Sequence, residues 1–66
     1  MQVWINGKPS ELAEGARVPD ALALLGAPEV GVAVAVDGDI VPRTTWADTP
    51  LAAGARVEVL TAVQGG

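Results

Sequence analysis

The stretch Arg56-Val57-Glu58-Val59-Leu60-Thr61-Ala62-Val63-Gln64-Gly65-Gly66 closes the chain and decides how the rest is read. Up to Val63 it alternates, with Val57, Val59, Thr61 and Val63 on one face and Leu60 and Ala62 on the other. β-Branched residues at period two make a strand. Only Glu58 is charged inside it, so the strand belongs in the middle of a sheet, expected beside the first strand. Two glycines then follow where the strand could have continued, although glycine weakens strands and costs backbone entropy. Eight glycines in 66 residues make a chance Gly-Gly ending a roughly 1.5% event on independent draws. Such an ending is a slim arm without side chains, able to thread a narrow slot and present its terminal carboxylate; a frayed terminus is the bland alternative. Three residues reach at most roughly 10 Å beyond Val63.

Working back toward the N-terminus, the other elements follow from the same rules. Gln2 to Asn6 alternates Val3 and Ile5 against Trp4, and Asn6-Gly7 is a strong hairpin signal. Lys8 to Leu12 is the return strand, with Pro9 suggesting a sheet edge. From Val18 the period changes: Val18, Ala21, Leu22 and Leu25 share one helical face. Pro19 and Asp20 suit the first turn, and Gly26 followed by Pro28 ends the helix. Gly31 to Val36 alternates valine with alanine, a strand expected to be covered on both faces, although the alanines keep one face thin. Asp37-Gly38 turns the chain into Ile40-Val41, and Pro42 stops that strand. Thr44 to Thr49 is a loop or single helical turn carrying Trp46, and Ala53-Gly54 is a further turn. The sum is α+β: a small mixed sheet of four to five strands with one helix on one face.

Composition removes most chemistries. Sixty-six residues make one domain, which buries only about 60% of the surface its unfolded chain exposes. With no cysteine and no histidine there is no disulfide, no Cys/His zinc site and no histidine acid/base chemistry. Eight acids against four bases argue against nucleic acid and favour a partner with a basic docking surface. Asp37 and Asp39 flank a glycine, but two carboxylates in a turn are too few ligands for a metal, and turn chemistry accounts for them. No stretch has the length of a membrane span and no signal-peptide pattern is present, so the expected location is the cytoplasm.

Taken together, these residues resemble the ThiS family, the sulfur carrier proteins of thiamine biosynthesis, within the ubiquitin-like β-grasp fold. The resemblance runs over essentially the whole chain. It is carried by Met1-Gln2-Val3 to Asn6-Gly7, the Gly15 to Leu25 segment, and Val34 to Arg43 with Trp46. Gly54, Val57-Glu58-Val59-Leu60 and Gly65-Gly66 complete it. One departure is the residue before the helix. The family often has a capping threonine there; Arg17 cannot accept a bond from the free N–H groups, which Pro19 offsets in part by removing one.

The resemblance implies a division into residues 1–63, the β-grasp domain, and 64–66, a flexible tail of Gln64, Gly65 and Gly66 that threads into partners. It implies that a ubiquitin-activating-like (E1-like) adenylyltransferase uses ATP to adenylate the Gly66 carboxylate. A sulfur donor such as a persulfide-bearing sulfurtransferase would then leave a thiocarboxylate, and a thiazole synthase would consume its sulfur. The chain would be a protein co-substrate rather than an enzyme, with no catalytic residue, bound cofactor or metal of its own. Related outcomes with the same tail are a molybdopterin-type carrier and a modifier joined to lysine; a plain binding module of the same fold is a further alternative. Candidate docking residues are Arg43, Trp46, Glu58 and Leu60. Trp46 could instead cover the sheet, Arg43 and Glu58 could be solvated side chains, and Trp4 could be either an anchor or a sheet cover.

Overall fold

The structure, a computed structural model, describes residues 1–28 and 30–61. The strands are β1 (Gln2–Ile5), β2 (Lys8–Glu11), β3 (Val32–Val36), β4 (Asp39–Val41) and β5 (Arg56–Thr61). Helix α1 spans Val18–Leu25, and a 3₁₀ segment spans Arg43–Asp48. The strands form one sheet in the order β2-β1-β5-β3-β4. β5 lies centrally, parallel to β1 and antiparallel to β3, as its apolar character requires. The expected extension of this strand to Val63 and the tail division after it lie outside the described residues.

Both hairpins turn through residues in the left-handed region. Asn6 and Gly7 have φ of 51° and 81°, and Asp37 and Gly38 have 52° and 89°. Positive φ at both central positions gives the turn a twist that matches the strands it joins. The 3₁₀ segment is longer than the single turn expected. Its side chain Trp46 donates from Nε1 to the Val41 carbonyl at 2.9 Å, and the Thr49 hydroxyl donates to the Thr45 carbonyl at 2.7 Å.

One face of the sheet carries the core. Val3, Ile5, Val34, Val57 and Val59 meet Val18, Ala21 and Leu22 of α1, with Trp46, Leu51 and Ala55 filling the sides. Full burial of such a side chain stabilises by about 1.5–3 kcal/mol. Leu25 departs from the expectation, being 45% exposed. It shares the angular position of Val18 and Leu22, but burial of this helix falls off along its axis, and Leu24 and Leu25 at its C-terminal end are both exposed. The expectation for β3 also needs correction. The helix covers only the valine face; Ala33 on the other face is exposed and Ala35 half-buried.

The Arg17 departure is resolved by its neighbours. Asp20 accepts the Arg17 backbone N–H at 2.7 Å, which is the returning half of a capping box, and Pro19 removes one free donor. The Arg17 side chain points elsewhere and donates from Nη1 to the Ala47 carbonyl at 2.9 Å, joining the helix start to the 3₁₀ segment. At the other end Gly26 adopts φ 75°; its N–H reaches Ala23, and the Ala27 N–H reaches Leu22, a glycine-terminated cap.

Candidate functional site

The expected reactive group, the Gly66 carboxylate, and the threading residues Gln64 and Gly65 lie outside the described residues. The site is therefore built from the strand that leads to them and from the surface beside it.

β5 is held on both flanks over most of its length. On the β3 side it pairs from Val57 to Thr61. On the β1 side Trp4 donates its N–H to Ala55 and Asn6 donates its N–H to Val57, at 2.8 and 2.9 Å. β1 then turns away, and the Asn6 side chain takes over. Its Oδ1 accepts the Val59 N–H at 2.8 Å, and its Nδ2 donates to the Val59 carbonyl at 3.2 Å. The carboxamide acts as one further strand residue.

Alternation on β5 turns Glu58 and Leu60 away from the core, where both are exposed. Register places them in a wider surface. Glu58 pairs with Ala35, which pairs with Ile40, so one row crosses three strands. Leu60 pairs with Ala33 in the next row, and Trp4 pairs with Arg56 on the other flank. Leu60 is 68% exposed, Ile40 71% and Trp4 39%. The result is an outer face on which Leu60, Ile40 and Trp4 surround the charged pair of positions Arg56 and Glu58, on the strand that leads to the C-terminus.

The four docking candidates do not form one patch. Arg43 and Trp46 sit on the helix side of the sheet, where they border a shallow groove with Pro19, Leu22, Ala23, Ala27 and Ala47. Arg43 is exposed there. Trp46 is only 5% exposed, and its indole N–H is already bonded. As a docking anchor it is corrected to a core residue, because its ring fills the space beneath the helix and offers almost nothing to a partner. Sequence reading missed Ile40, Ala33 and Ala35 as members of the outer face. The register that brings them beside Glu58 and Leu60 is a property of the sheet; alternation within each strand was the only available signal.

Among the described residues no buried polar or charged side chain occurs, and no side-chain cluster could hold a metal ion. The Asp37 carboxylate is engaged by the Arg56 N–H at 2.9 Å. No helix among the described residues is long and apolar enough to cross a membrane. The Met1 ammonium is perturbed. Its pKa is raised above 8.0, chiefly by its bond to Glu11, while burial works in the opposite direction.

Comparison with known proteins agrees with this geometry. The crystal structure of the thiamine biosynthesis protein ThiS from Geobacter metallireducens is similar over all of both chains, with a TM-score of 0.83 at 32% identity. The solution structure of the same Geobacter metallireducens protein has a TM-score of 0.79 at 33% identity, over all of this chain and 88% of that one. No curated protein sequence matches the chain. The sheet of five strands with one helix on its inner face is the ubiquitin-like β-grasp. The ThiS family model matches residues 3–66, so the whole body and the ending described above are accounted for by one family, and the chain belongs to the ThiS family.

Proposed function

We propose that this chain is a sulfur carrier of thiamine biosynthesis whose working group is the Gly66 carboxylate. The observation that carries the reading is the ThiS family match over residues 3–66, which includes the Gly65-Gly66 ending. Similarity to a thiamine biosynthesis protein, in both its crystal and its solution structure, favours the thiamine route over a molybdopterin-type route or attachment to lysine.

The chemistry follows from the group itself. An α-carboxyl titrates near pH 3.5 and is anionic at neutral pH, so it is a poor acyl donor. An E1-like adenylyltransferase would join it to AMP from ATP, releasing pyrophosphate and creating a good leaving group. A persulfide sulfur would attack the acyl carbon and expel AMP. Thiol cleavage of the remaining sulfur–sulfur bond would free the thiocarboxylate, which a thiazole synthase would consume. ATP belongs to the partner, and the chain itself contributes no catalytic side chain. Gln64 to Gly66 form the threading arm, with residues 1–63 as its mount; Gly65 and Gly66 have no Cβ to obstruct a narrow channel. Docking is assigned to the outer face around Glu58 and Leu60, next to the strand that bears the arm, with Arg43 as a separate contact on the helix side.

Intact mass spectrometry tests the reading. Incubation with ATP, the adenylyltransferase and a sulfur donor should exchange one oxygen for sulfur at Gly66. Removal of Gly66 should abolish the exchange and leave the melting temperature unchanged. An unaltered mass with every adenylating partner would sink the proposal, and lysine-linked conjugates on other proteins would redirect it to the modifier class.

A further inference from the structure

We propose that Asn6 is a positioning residue for the C-terminal arm: its carboxamide clamps β5 at Val59 and so sets where the arm's mount ends. This rests on the carrier reading above.

Successive backbone groups of β5 face alternately toward β3 and toward β1. The odd-numbered residues face β1, as the bonds of Trp4 to Ala55 and of Asn6 to Val57 show. Val59 is the next in that series, but β1 ends at Ile5 and the chain reverses at Asn6-Gly7. Without a substitute, the Val59 N–H and carbonyl would have no strand partner on that flank. The Asn6 side chain supplies both a donor and an acceptor to this one residue, 53 positions away. Only asparagine combines that amide with tolerance of the left-handed φ of 51° at this turn.

The mechanical consequence concerns the arm. Val59 is the last described point at which β5 is gripped from both flanks, and Gly66 lies seven residues beyond it. Releasing Val59 on the β1 side would move the last two-sided anchor of β5 back to Val57, farther along the chain from Gly66. A small misplacement of a reacting group has a large effect on rate. The outer face carrying Glu58 and Leu60 would remain available for docking. Loss of the clamp is therefore expected to lower kcat for adenylation while leaving KM nearly unchanged.

Two variants isolate the clamp from the turn. N6G keeps the positive φ and removes the carboxamide; N6D keeps an acceptor for the Val59 N–H and removes the donor to its carbonyl. D20A serves as a control, because it weakens the helix cap without touching β5. Amide hydrogen exchange and ATP-dependent pyrophosphate release with the adenylyltransferase are measured on each full chain. In N6G, Val59 should exchange about tenfold faster while the Trp4 amide is unaffected. Its kcat should fall about tenfold, that of N6D should be intermediate, and that of D20A should match wild type. Unchanged Val59 exchange in N6G would overturn the clamp. Accelerated exchange with wild-type kcat, or an equal loss in D20A, would overturn the positioning role. A wild-type chain inert toward the adenylyltransferase would instead remove the carrier reading and the positioning role with it, while Val59 exchange would still decide the clamp.

Discussion

Asp37 holds Arg56 by two bonds: its backbone N–H donates to the Arg56 carbonyl at 2.8 Å, and its Oδ1 accepts the Arg56 N–H at 2.9 Å. The second hairpin thus grips the start of β5 much as Asn6 grips it at Val59. Two turn residues with positive φ fasten the same central strand at two points. Removing the carboxylate should be felt in stability. D37G, which retains the backbone freedom, is expected to cost about 1 kcal/mol, and D37A about 1–2 kcal/mol more because alanine resists φ of 52°. D37N keeps the acceptor and should be nearly neutral. Urea denaturation of the three variants measures the series.

Trp46 is the largest side chain in the core and is bonded to Val41. W46A is expected to cost about 3–5 kcal/mol, a loss comparable with the whole stability of many small domains. W46F should lose less, since it retains most of the volume but not the indole N–H. Far-ultraviolet circular dichroism with urea titration distinguishes these outcomes. A well-folded W46A with weakened partner binding would instead restore Trp46 as a docking residue.

Leu60 and Glu58 should behave in the opposite way. Both are exposed on β5, so L60S and E58K are expected to change stability by no more than about 0.5 kcal/mol. Binding to the adenylyltransferase, measured by calorimetry, should weaken by about 1–2 kcal/mol for L60S, as for an apolar anchor. E58K should weaken it in a salt-dependent manner if the partner presents a basic surface.

The Met1 ammonium predicts a pH dependence on the alkaline side. It donates to the Leu12 carbonyl at 2.6 Å and lies 3.0 Å from Glu11 and 3.7 Å from Glu14. Its folded pKa is raised above the unfolded value of 8.0, mainly through Glu11. The charged form is therefore favoured by folding. Its contribution is complete below pH 8.0 and is lost as pH rises through the raised value. Melting temperatures collected from neutral pH upward should fall above pH 8, and E11Q should reduce that fall. Both acids are exposed, so the effect should be small and should shrink with added salt.

Local pattern alone was enough for the elements. Valines at period two marked β3 and β5, Asn6-Gly7 and Asp37-Gly38 marked the hairpins, and Val18, Ala21 and Leu22 marked the buried side of α1. These signals are legible because side-chain direction within one strand or helix turn is set by backbone geometry over a few residues. The absence of histidine and cysteine likewise directed attention to the terminal carboxylate from the sequence alone.

Tertiary structure decided what depends on which elements become neighbours. Alternation could turn Glu58 and Leu60 to one face, but only strand order set Ala35, Ile40 and Ala33 beside them. Leu25 has the right angular position for burial and is exposed because cover is lost along the helix axis. Trp46 suits either a surface anchor or a core by composition, and packing beneath the helix made it core. Asn6 read as a turn residue, and its second role arose because β1 ends one residue short of the partner Val59 needs. A hydrogen bond across 53 positions has no local signature: it exists because β1 and β5 lie side by side, which no short window of sequence encodes.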